Sequence, residues 1–148
     1  MSIAIRSFAM SDYEPVIRLW CRAELEISRS DSYEQIQKKL QRDPELFLVA
    51  VEGNKIIGAV IGAYDGRRGW VYHLAVDSDE QRKGVGYAMM KELESRFQAI
   101  GCEKVNLLIE PNNAQVQGFY ERLGFQSDEL IFMEKWVERT KREINTKS

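Results

Sequence analysis

The stretch Gln81-Arg82-Lys83-Gly84-Val85-Gly86 decides how the rest of the chain reads, because a strand runs into it and a helix leaves it. Upstream, residues 70–76 are β-branched, aromatic and apolar, which suits a buried strand. Downstream, Val85, Met89, Leu93, Phe97 and Ile100 recur at helical spacing, and Gly101 follows as a C-terminal stop. A strand, a glycine-bearing turn and a helix N-terminus together make an anion site. Unpaired backbone N–H groups and the positive end of the helix dipole point the same way there, so a phosphate-bearing ligand is expected. A dinucleotide fingerprint would need a third glycine where Met89 stands. A Walker-type loop would need Gly-Lys followed by Ser or Thr, which Gly84-Val85-Gly86 does not supply.

What does match is Gln-x-x-Gly-x-Gly, from Gln81 to Gly86 and preceded by Leu74-Ala75-Val76. It resembles the acetyl-CoA loop of the GNAT superfamily of N-acetyltransferases. Asn113, followed by Phe119-Tyr120-Glu121-Arg122-Leu123-Gly124-Phe125, is similar to the second CoA-contacting motif of that superfamily, and the two segments stand in the family's order. Residues 62–70 and 72–76 also resemble small bacterial members related to the ribosomal-protein N-terminal acetyltransferases. The resemblance covers essentially the whole chain.

That resemblance implies an α/β fold with a mixed sheet of six to seven strands, about four helices, and central strands splayed apart where CoA enters. It implies acetyl-CoA as cosubstrate, no metal, and acetyl transfer to a primary amine by direct attack in a ternary complex. Gln81 opens the loop, and the backbone of Arg82, Lys83, Gly84, Val85, Gly86 and Tyr87 would cradle the pyrophosphate. Gly84 and Gly86 would remove the Cβ atoms that hold backbone and phosphate apart. Leu74, Ala75 and Val76 fall on the bulged fourth strand, whose N–H groups hold the acetyl oxygen and pantetheine. Asn113 and Phe119 would also contact CoA. Tyr120 stands where the family keeps a tyrosine near the sulfur, as a donor to the departing thiolate.

An amine with a pKa near 10.4 is almost wholly protonated at neutral pH, so neutralising it costs roughly 4 to 5 kcal/mol and calls for a base or a water chain. At the two positions where some family members carry a glutamate, this chain has Trp70 and Leu108. Glu110 and His73 are the foremost candidates, with Asp65 and Glu24 beside them; His73 is attractive because an imidazole titrates near neutrality. Glu24, Glu26 and Asp31 are offset by Arg22 and Arg29, so the loop that would shape the acceptor site shows no clear charge preference. A reading from another class is a non-catalytic acyl-CoA-binding or sensing module.

With 148 residues, residues 1–136 are expected to form one N-acetyltransferase domain, followed by a polar, frayed or disordered tail over 137–148. A net charge of -2 argues against a nucleic-acid partner. No apolar run suggests a membrane span or a signal peptide, so a cytoplasmic protein is expected. Two cysteines and a single histidine argue against a disulfide framework or a zinc site, and Cys21 and Cys102 are both expected as buried small hydrophobes. The acceptor is expected to be an amine-bearing small molecule, or the N-terminus or a lysine of a protein. Capping boxes at Ser11 and Ser32 open the first two helices. A short first strand lies over 3–8, strands follow at 46–51, 56–64 and 70–76, and a fifth lies at 104–109 before a helix at 114–123. A last strand or strand pair lies over 125–136, whose edge could serve a homodimer.

Overall fold

The computed structural model describes residues 2–78 and 84–138, apart from the side chains of residues 111 and 112. It divides into two compact units, Met1–Ala114 and Gln115–Ser148. The first holds strands β1 (Ile3–Ser7), β2 (Phe47–Glu52), β3 (Lys55–Tyr64), β4 (Gly69–Val76) and β5 (Val105–Leu107), with helices α1 (Tyr13–Arg22), α2 (Tyr33–Arg42) and α3 (Val85–Ala99). The second holds helix α4 (Gln117–Arg122). The strands lie in the order β1-β2-β3-β4-β5; the first three pairings are antiparallel, while β4 and β5 run parallel with α3 as their crossover.

Each junction has a local cause. Gly53, with φ 62°, turns β2 into β3, and in the next turn Asp65 Oδ1 accepts the N–H groups of Arg67 and Arg68 at 2.8 and 2.7 Å. Ser32 caps α2 as expected, its Oγ accepting Gln35 N–H. The first helix departs from its expected start at Ser11. Asp12 occupies the N-cap and turns its carboxylate back to Ala9 N–H and to Arg6, so the chain enters α1 through a 3₁₀ turn over Met10–Asp12. Lys39 and Asp43 then fasten the end of α2 to β3. The ammonium bonds both the Asp43 carboxylate and the Gly62 carbonyl, and Tyr64 N–H donates to Asp43 Oδ2 at 3.0 Å.

The sheet is covered on both faces. On one, Val16, Leu19 and Trp20 of α1 and Ile36 of α2 pack on Phe47, Val49, Ala59, Ile61 and Ala75. On the other, α3 settles into a trench of small residues: Met89 lies over Gly58, Leu93 over Gly62 and Phe97 over Gly69. A Cβ at Gly62 would meet Leu93 Cδ1 at 2.8 Å, the Leu46 carbonyl oxygen at 3.0 Å and Phe97 Cζ at 3.1 Å. Gly58 is paired with Val76 and Gly69 starts β4, so α3 runs antiparallel to β4 and begins beyond its C-terminal end.

Expectations for the number of strands, for residues 125–136 and for Cys21 are corrected. The described residues form five strands, not six to seven. Residues 125–136, expected to supply the last strand or strand pair and its homodimer edge, have no regular secondary structure; Ile131 is 90% and Met133 85% exposed. A run such as Leu130-Ile131-Phe132-Met133 reads as a strand by composition, but strand propensity is realised only where a neighbouring backbone pairs with it. Cys102 is buried as expected, whereas Cys21 lies on the exposed side of α1.

The trench generates a stability prediction. Gly62→Ala should destabilise the protein by about 1 to 3 kcal/mol, because the added methyl meets a backbone oxygen as well as two side chains. Equilibrium urea unfolding measures it, and an unchanged midpoint would contradict the close approach.

Candidate active site

The pairing of β3 with β4 carries a bulge. Ala59 faces Ala75 and Ile61 faces Tyr72, so His73 and Leu74 together oppose Val60. The extra residue reverses which face the strand presents. Val71, opposite Gly62, lies on the α3 side, yet Ala75, four residues on, belongs to the core under α1. Tyr72 shares that second face through its partner Ile61. His73 joins it too, its ring packed at 4.8 Å from that of Trp20. Two consecutive side chains thus point to one face, and His73 takes φ 51°, in the left-handed region that few non-glycine residues enter.

The imidazole has a built partner. His73 Nε2 lies 3.1 and 3.2 Å from the two carboxylate oxygens of Asp31, a buried residue in the connection between α1 and α2. Asp31 is itself held: its Oδ2 accepts Ser28 N–H at 3.0 Å, and its backbone oxygen accepts the Tyr13 hydroxyl at 2.7 Å. In the sequence Asp31 reads only as a loop charge. The one signal available was the Ser-x-x-Asp spacing of a local capping turn.

The other candidate bases sit in different settings. Asp65 is exposed, and its two backbone hydrogen bonds to Arg68 and Arg67 pull its carboxyl below the usual range, which makes it a turn-former. Glu24, at φ 61°, is the exposed residue with which the chain leaves α1. Glu110 is exposed, and its carbonyl accepts Asn113 N–H at 2.9 Å.

At the other end of β4, the ladder to β5 comprises Gly69–Val105, Trp70–Asn106 and Val71–Leu107, while β4 itself continues to Val76. Leu74 and Ala75 therefore lie past the last β5 pairing. Beyond that end α3 begins. Gly84 is its N-cap at φ 73° and ψ 20°, with no side-chain cap and no acidic residue in the first turn. The N–H groups of Gly84, Val85, Gly86 and Tyr87 precede the first intrahelical donor, Ala88 N–H, which bonds the Gly84 carbonyl, so the turn is electropositive. Val85 is buried and Tyr87 half exposed. Gln81, Arg82 and Lys83 lie outside the described residues.

Asn113 sits at a non-helical kink, with φ -119° and ψ 23°, in the 3₁₀ segment Pro111–Val116. In the second unit, Tyr120 meets Phe119 and Phe125 edge-on at centroid distances of 5.1 and 5.7 Å. Burial pushes its phenol up to about 12.

Comparison with known proteins agrees with this architecture. Residues 12–125 match the profile of the Acetyltransferase (GNAT) family. An acetyltransferase of Yersinia enterocolitica is 40% identical over 88% of this chain and 93% of its own length. Ard1 from Thermoplasma volcanium superposes with a TM-score of 0.78 at 25% identity, over 87% of this chain and 86% of its own. The PaiA N-acetyltransferase of Thermoplasma acidophilum, solved with coenzyme A, has the same fold with a TM-score of 0.77 at 21% identity, over 88% and 94% of the two chains. Among the described residues no helix is long and apolar enough to cross a membrane.

The shifted phenol of Tyr120 makes a pH prediction. A raised folded-state pKa favours the folded protein below the unfolded pKa of 10.0, and the benefit disappears as pH climbs to about 12. Tyr120→Phe should therefore lose stability less steeply than the wild type across that window. Its tyrosinate absorbance titration should also lack the latest-ionising component. Superimposable wild-type and variant curves would refute the assignment.

Proposed function

The chain belongs to the acetyltransferase (GNAT) family, and from that premise we propose that it transfers the acetyl group of acetyl-CoA to a primary amine by direct attack in a ternary complex. The observation that carries the reading is the pairing of two features in one unit. The β4–β5 ladder stops at Val71, and just past the end of β4 the uncapped N-terminus of α3 opens behind Gly84. A pantetheine arm, with its amides, can run along Leu74, Ala75 and Val76 as an added strand would. The pyrophosphate suits the N–H groups of Gly84 to Tyr87, in a first helical turn that carries no acidic residue. Gln81, Arg82, Lys83, Asn113 and Phe119 complete the cosubstrate set by family resemblance. We read residues 1–136 as one catalytic domain, supported by a family match that runs through 12–125. We place the protein in the cytoplasm, with no nucleic-acid partner.

Acetyl-CoA supplies a thioester carbonyl already activated for transfer. The residues of the chain supply the rest. One proton must leave the acceptor ammonium before its nitrogen can bond the acetyl carbon, and His73 is the base we favour, ahead of Glu110, because it is the candidate with a fixed partner. As the new C–N bond forms the C–S bond breaks, the thiolate takes up a proton, and one proton in total is released. Tyr120 is proposed to donate a hydrogen bond to that thiolate. With its phenol at about 12, handing over the proton outright to a thiolate whose thiol is near 8.5 is uphill by about 5 kcal/mol, so solvent completes the delivery. The acceptor class is an amine on a small molecule, or the N-terminus or a lysine of a protein.

Acetyl-CoA should raise the melting temperature of the protein; at a hundredfold excess over Kd the gain is about 2.7 kcal/mol. An amine panel with free thiol as the readout then identifies the acceptor. An unmoved melting temperature at millimolar acetyl-CoA and CoA would defeat the reading, and binding without transfer to any amine would make the protein a CoA-binding module. Tyr120→Phe should keep acetyl-CoA affinity while turnover falls roughly 10- to 1,000-fold.

A further inference from the structure

His73 is costly where it stands. Its left-handed backbone is a conformation that costs of order 1 to 3 kcal/mol and persists only when the surroundings enforce it. Three features enforce it: the bulge opposite Val60, the Trp20 ring packed against the imidazole at a tilt of 52°, and the Asp31 carboxylate at its far nitrogen. Asp31 and His73 are distant in sequence, and both belong to the first unit.

We propose that Asp31 is the positioning residue for His73, fixing the hydrogen on Nε2 and leaving Nδ1 as the nitrogen that receives the proton of the acceptor. The assignment deepens the acetyl-transfer reading and rests on it. A carboxylate only accepts, so an imidazole whose Nε2 faces both of its oxygens carries the hydrogen there, and the lone pair then belongs to Nδ1. Asp31 suits the task because it is anchored independently of His73. Ser28 N–H holds one oxygen and Tyr13 holds the backbone, so its orientation is set by the 3₁₀ turn Arg29–Asp31. The ring is clamped between Asp31 and Trp20, while its side chain keeps 24% exposure, an open edge for an acceptor. In the reaction Nδ1 takes one proton from the ammonium, the imidazolium is held against the Asp31 carboxylate, and the proton passes to solvent to restore the base.

This is the only histidine in the chain, so imidazole nitrogen NMR on the intact protein reads it without assignment. The wild type should show the hydrogen on Nε2 in the neutral ring. Asp31→Asn keeps an oxygen for Ser28 N–H but offers an amide to the ring, and it should shift the tautomer toward Nδ1–H. On the amine the panel identifies, kcat should fall roughly 10- to 100-fold with KM for acetyl-CoA unchanged. His73→Asn tolerates the same backbone region; it should keep the fold by circular dichroism and lose turnover to at least the same degree. A wild type with the hydrogen on Nδ1, or an Asp31→Asn protein with the wild-type tautomer or wild-type kcat, overturns the assignment. Failure of every amine to react with a protein that binds acetyl-CoA would instead sink the acetyl-transfer reading, while the tautomer still decides the role of Asp31.

Discussion

The seating of α3 in the glycine trench of the sheet is the constraint on which the rest of the first unit depends. Met89, Leu93 and Phe97 repeat every four residues and meet Gly58, Gly62 and Gly69 in turn, so helix and sheet are locked in register as well as in contact. Larger sheet residues would push the helix outward. Because Met89 is level with the pair Gly58–Val76, Val85 falls one turn, about 6 Å, past the end of β4. That single offset puts the electropositive first turn where the strand has already left its parallel neighbour.

The bulge performs the complementary operation on the other face. Without it, alternation would put His73 on the side of α3, beside Val71. With it, Tyr72 and His73 share the α1 side, and the imidazole reaches the connection between α1 and α2. One inserted residue thus assigns the two faces of β4 different tasks. The face toward α3 packs, and the face toward α1 presents Tyr72 and His73. The left-handed backbone at His73 is the local cost of that division.

The sequence made the regular part of this legible. The stripe from Val85 to Phe97, the glycine stop at Gly101, the hairpin at Gly53 and the antiparallel run of strands all follow from periodicity and turn chemistry, which are local. What composition and periodicity miss is long-range. The bulge of the fourth strand is expected from the family resemblance alone and leaves no compositional trace, since His73 and Leu74 suit an ordinary strand equally well. The link from Asp31 to His73 depends on the whole sheet being folded before the two can meet. The expectation for residues 125–136 fails in the opposite sense, because an apolar run has the composition of a strand whether or not a partner strand lies beside it. The family motifs point to the ends of β4 and α3, but they do not say that the bulge brings His73 against the buried carboxylate of Asp31.

The short parallel ladder has a consequence for how the molecule assembles. The hairpins from β2 to β4 join strands that are neighbours in sequence, whereas β5 can reach β4 only after the whole of α3 has been laid down between them. Contacts of large sequence separation are slow to close, and with only three residue pairs the reward for closing this one is small. The antiparallel meander should therefore form before β5 docks. By the same reasoning the β4–β5 edge is the first to open in local unfolding. This short ladder is the least cooperative seam of the sheet, so amide exchange should be fastest there among the strands, and anything that binds across it acts as a late folding staple.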